Sequence, residues 1–137
     1  RIYIYLIRNN LSPSVINQGR EWHIINDIDI ILLKKGAKKF IGTHNFSTYR
    51  ASNCNSSSPI KTIKSIKITK NKDLIKIKIV SKSFLKSQVR SMVGCLKYLG
   101  EKKWNFRKFM SVFKSKKREN CAPLAPPYGL YLEKIIY

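Results

Sequence analysis

Acidic residues are what this sequence has least of: 7 Asp and Glu stand against 28 Lys and Arg, a formal net charge of +21 over 137 residues. So few carboxylates, scattered along the chain, leave little material for paired-carboxylate chemistry. No apolar run approaches the length of a membrane span, and no secretory signal is visible. Cysteine is scarce too. Cys54, Cys95 and Cys121 are odd in number and form no C-x-x-C pair, which argues for reduced thiols in a cytoplasmic setting. Together with His23 and His44 they lack zinc-ligand spacing, so no metal is expected. A Cys–His nucleophile pair is left open by the residues, although nothing marks a cysteine as activated. There is no glycine-rich phosphate loop.

What is present is a single domain's worth of chain, 43% hydrophobic and strongly basic. Such a charge favours a polyanionic partner, most plausibly nucleic acid. The abundance of Ile, Lys and Asn together is also what AT-biased codon usage produces, and charge alone does not separate the two. The first residue is Arg1, inside an apolar alternating run with no Met, so the chain is expected to begin in mid-protein.

"RIYIYLI" alternates, with Ile2, Ile4 and Leu6 on one face and Tyr3, Tyr5 and Ile7 on the other, and reads as a strand with outward tyrosines. "NNLSPSVINQGREWH" reads as a loop. A helix follows, capped by Asp27 or Asp29, with Ile30, Leu33, Ala37 and Phe40 as its stripe. "GTHNFSTYRASNCNSSSP" is a long polar loop. "IKTIKSIKIT" and "LIKIKIV" form a hairpin around "KNKD", with one core face and one solvated lysine face.

Residues 84 to 99 read as a helix whose stripe is Leu85, Val89, Met92, Val93, Leu96 and Leu99. Lys86, Arg90 and Lys97 border that stripe as a basic ridge, with Gly94 just beyond. Either the ridge is a solvated border beside a helix–helix contact, or the glycine makes room for something close by. "WNFRKFMSVFKS" is a further helix capped by Asn105, with Phe106, Phe109, Met110 and Phe113 inward. "ENCAPLAPPYG" is an extended loop and "LYLEKIIY" a closing strand. The predicted order is β-α-β-β-α-α-β with an antiparallel sheet, an α+β ferredoxin-like plait forming one domain over residues 1–137.

Four stretches in order resemble one family. "RIYIYLIRN" is similar to the R-x-Y-x-Y stretch of the tRNA pseudouridine synthase A family. "GTHNFSTYRA" resembles its G-x-H-D-F-x-x-F-R, with Asn45 for Asp and Tyr49 for Phe. "FLKSQVRSMVG" resembles its Phe, "VR" and "VG" segment, and "APLAPPYGLYLEKIIY" its A-P-x-G-L-Y-L ending. The family's G-R-T-D-A-G-V-H motif, which carries the nucleophilic aspartate, does not occur in these residues.

The resemblance implies the carboxy-terminal half of a pseudouridine synthase fold, with the half that bears the aspartate absent. The implied enzyme is an isomerase that converts uridine to pseudouridine in the anticodon arm of tRNA, without a cofactor, as a homodimer. It places Tyr3 and Phe84 at the target base and makes Arg90 the partner of the nucleophilic aspartate. His44, Arg50 and Lys86 become RNA contacts. The alternative is a stand-alone, non-catalytic RNA-binding module or the remnant of a split gene.

Overall fold

A computed structural model describes residues 1–10, 20–54, 56 and 58–135. Strand β1 (Ile2–Asn9) is an interior strand of a six-stranded sheet, second from one edge. The hairpin forms as predicted, with β4 (Ile60–Asn71) and β5 (Leu74–Ser81) joined through Lys72, whose φ of 57° turns the chain. Ile75, Ile77 and Ile79 of β5 are fully buried on one face, while Lys67 and Lys76 are exposed on the other.

Two short strands lie in stretches whose composition reads as loop. β2 (Trp22–Ile24) pairs parallel to β1 through Ile7, Arg8 and Asn9. β3 (Gly42–Asn45) pairs antiparallel to β4. The sheet runs β2-β1-β5-β4-β3, and β6 (Leu130–Lys134) also pairs with β1. It is therefore mixed rather than wholly antiparallel. Three or four residues are too few to show a period of two, so their pairing partners decide these strands. Arg8 fastens the start of β2, donating from Nε and Nη2 to the two oxygens of buried Glu21 at 3.1 and 2.9 Å.

The helices cover one face of the sheet. Helix α1 (Ile30–Phe40) is capped by Asp29, which accepts from the Ile31 and Leu32 amides. Helix α3 (Phe106–Ser115) is capped by Asn105, as its sequence predicts. Phe40, Phe46, Tyr49, Phe109 and Phe113 pack as one aromatic cluster beneath α1 and α3.

Helix α2 (Gln88–Gly100) starts four residues after position 84, where its sequence reading begins. Ser87 sits in the left-handed region at φ 65°, which breaks helical continuity, and the Gln88 side chain turns back to accept the Leu85 amide at 2.8 Å. Leu85 and Phe84 therefore approach as extended chain. Lys86 stands in the turn and not on a helical ridge.

Candidate active site

The site centres on the start of α2 and on the proline-rich loop that meets both α2 and β1. Tyr3, Tyr5 and Ile7 share the helix-facing side of β1, because Tyr5 and Ile7 are buried there and successive side chains alternate. Tyr5 is thus a core residue and not an outward tyrosine. Its hydroxyl donates to the Pro126 carbonyl at 2.6 Å, and burial pushes the phenol well above its ordinary pKa, with Tyr128 adding to the rise and Arg90 opposing it. A Cβ on Gly129 would lie 2.8 Å from the Tyr5 ring, so the loop can seat on the tyrosine only with glycine there.

Tyr3, half-buried, meets Phe84 edge-to-face with ring centroids 5.2 Å apart. This pair is brought together by the unwound stretch before α2, which carries Phe84 off the end of β5 and back over β1. The two rings stand at 76° to each other, so what the pair offers a base is the face of one ring braced by the edge of the other.

Arg90 is also half-buried, and α2 sets it against the proline-rich loop. Its Nε–H donates to the Ala125 carbonyl at 2.7 Å, while the Ala125 amide donates to the Arg90 carbonyl at 3.1 Å. Gly94, one turn on, completes the seat: a Cβ there would lie 2.2 Å from the Pro123 carbonyl oxygen. The glycine therefore makes room for loop backbone. Nη1 and Nη2 of Arg90 make no hydrogen bond among the described residues, so the guanidinium is fixed by one edge and open at the other. A fork held in this way suits a carboxylate or phosphate. Arg90 and Tyr5 meet the same loop, at the successive carbonyls of Ala125 and Pro126, and Tyr3 lies one alternate position from Tyr5 on β1.

Other residues singled out by sequence fall elsewhere. Lys97 pairs with Glu101 at 3.2 Å and lies over the Trp22 ring, so the supposed basic ridge dissolves into separate contacts. Lys86 is exposed, and its carbonyl accepts the Ala51 amide at 3.0 Å. Arg50 donates to the Cys54 and Ser56 carbonyls and so braces its own loop. His44 lies on β3, at the sheet edge away from β1, bonded to the Ile41 carbonyl at 2.8 Å and packed edge-on against Phe46 and Phe113. Sequence reasoning missed Tyr5 and the carbonyls of Pro123, Ala125 and Pro126. The one available signal was that glycine at Gly94 and at Gly129 needed a reason.

Among the described residues there is no group of three or more His, Cys, Asp or Glu placed to hold a metal ion. No helix among them is long and apolar enough to cross a membrane.

The sequence profile of the tRNA pseudouridine synthase family matches residues 37–137. A tRNA pseudouridine synthase A from Pelagibacter ubique is 58% identical over all 137 residues, which correspond to 56% of that protein. One from Brucella ovis is 34% identical over the same span, 55% of its length. The chain thus spans about half the length of the curated relatives it matches.

Proposed function

The chain belongs to the tRNA pseudouridine synthase family, and from that premise we propose that it forms the carboxy-terminal half of an enzyme that isomerises uridine to pseudouridine in the anticodon stem-loop of tRNA. The observation that carries this reading is the alignment of the entire chain, at 58% identity, with a protein named tRNA pseudouridine synthase A. The seating of Arg90 on the proline-rich loop and the Tyr3–Phe84 ring pair support it from the geometry.

Each residue then has a physical task. The target uracil lies against Tyr3 and Phe84, where stacking holds it out of the tRNA and the Tyr3 hydroxyl is available for proton transfer. Arg90 holds the nucleophilic aspartate contributed by the other half of the enzyme. Its charge keeps that carboxylate ionised, and the Ala125 carbonyl at Nε fixes the direction from which the free nitrogens meet it. The aspartate attacks the target nucleotide as a covalent nucleophile. Lys86, exposed in the turn before α2, contacts the RNA backbone by charge and not by base identity. His44 and Arg50 serve the same RNA surface indirectly, by shaping the β3 edge and the loop against Lys86. The enzyme acts in the cytoplasm as a homodimer, with tRNA spanning both subunits, and needs no cofactor.

The test is tRNA binding by this chain at two salt concentrations. A basic surface that neutralises phosphates releases counterions, so affinity should fall steeply between low and moderate salt. Affinity that does not change with salt would mean that the +21 charge is a matter of codon usage and not a footprint for RNA.

A further inference from the structure

We propose that Cys95 and Cys121 form an oxidisable dithiol, a modification site at which a hydroperoxide closes a disulfide between α2 and the proline-rich loop. The two sulfurs are 3.6 Å apart, and only these two of the three cysteines are in mutual contact. Cys95 is fully buried in the middle of α2, while Cys121 is half-buried at the beginning of the loop, just past a short 3-10 turn (Arg118–Asn120). A disulfide needs its sulfurs at about 2.05 Å, so closure asks for roughly 1.5 Å of approach, within reach of side-chain rotation and a small loop adjustment.

Their surroundings divide the labour. Cys121 is held below the ordinary thiol value by the hydrogen bond from Cys95 and by the charge of Arg118, although burial opposes both. Arg118 is itself fixed, donating from Nη1 to the Ser91 hydroxyl at 2.6 Å. Cys95 is pushed far the other way by its bond to Cys121 and by burial. Cys121, the more exposed of the two sulfurs, is therefore the attacking thiol, reacting as its thiolate, and fully buried Cys95 the resolving one. The Cys121 thiolate attacks the peroxide O–O bond, giving a sulfenic acid and releasing one molecule of alcohol or water. The Cys95 sulfur then attacks the Cys121 sulfur: the S–S bond forms, the S–O bond breaks, and the hydroxyl leaves as water. Two thiols are oxidised and one peroxide is reduced.

The bridge bears on the loop that seats Arg90. Cys121 precedes Pro123, Ala125 and Pro126, whose carbonyls meet Gly94, Arg90 and Tyr5. A covalent tie at Cys121 fastens one end of that loop to the helix bearing Arg90, and its loss of chain freedom in the unfolded state should raise the melting temperature.

The experiment treats the folded 137-residue chain with one equivalent of hydrogen peroxide. We expect a product lighter by two hydrogen atoms, a non-reducing peptide map that joins Cys95 to Cys121, and a melting temperature higher by about 5 °C or more. Cys54→Ser should form the same bridge, and Cys121→Ser none. Oxidation confined to Cys54, Cys121 carried on to sulfinic acid with Cys95 still free, or both thiols still open to alkylation would each overturn the proposal. If either serine variant fails to fold, the map of the unsubstituted chain decides alone. A bridge that forms no faster in the folded chain than in denaturant would also overturn it.

Discussion

Arg90 and Ala125 exchange two hydrogen bonds, the arginine Nε–H to the Ala125 carbonyl and the Ala125 amide to the Arg90 carbonyl. A solvated border side chain would not make the first of them. The pairing ties the first turn of α2 to the proline-rich loop, and among the described residues Nε is the one guanidinium nitrogen that it engages.

Arg90→Lys removes both the Nε donor and the planar fork. In the complete synthase turnover should fall at least tenfold, about 1.4 kcal/mol in the barrier. tRNA affinity should change little. Lys97→Arg is the control, since an arginine can keep both the Glu101 pair and the Trp22 face. Tritium release from C5-labelled uridine compares the two; equally mild losses would return Arg90 to a packing role.

Gly94→Ala places a methyl where the Pro123 carbonyl stands. The obstacle is backbone and not a flexible side-chain end, so the loop must shift. Destabilisation of about 2 kcal/mol or more is expected, at the upper part of the range for overpacking. Thermal or urea unfolding reads it. The same substitution should weaken the Arg90–Ala125 pairing, so turnover of the complete enzyme falls with it.

Tyr49 has a fully buried hydroxyl with no hydrogen-bond partner among the described residues, and burial raises its pKa far above normal. Phenylalanine is usual at this place in the resembling motif. Tyr49→Phe keeps the ring against Phe40 and Phe113 and discards the unpaired oxygen. Stability should therefore rise by about 1 kcal/mol. A loss of similar size in urea unfolding would mean that the hydroxyl has a partner after all.

The long elements were legible because each carries its own period and cap. Asp29 and Asn105 stand as caps, and Leu85, Val89, Met92, Val93, Leu96 and Leu99 are all buried. β2 and β3 were not legible, because so short a strand is defined by the neighbour it pairs with. Both faces of β1 are apolar, so alternation could not say whether Tyr5 or Ile4 points to the helices. At the site, the motif match selected Tyr3, Phe84 and Arg90. What anchors Arg90 and Tyr5 is main-chain oxygen from Ala125 and Pro126, with the Pro123 carbonyl seated on Gly94, and carbonyls carry no signature in a sequence. The glycines opposite them were the only trace.

The central claim is that this chain is the arginine-bearing half of a synthase whose aspartate lies in the other half. The most direct measurement is tritium release from C5-labelled uridine in tRNA. It is made with the chain alone and with the chain joined behind the amino-terminal half of a relative that carries G-R-T-D-A-G-V-H. The prediction is no release from the chain alone, release from the joined protein, and loss of that release with Arg90→Lys. Turnover by the 137 residues alone, or a joined protein that folds and binds tRNA yet releases no tritium, would contradict it.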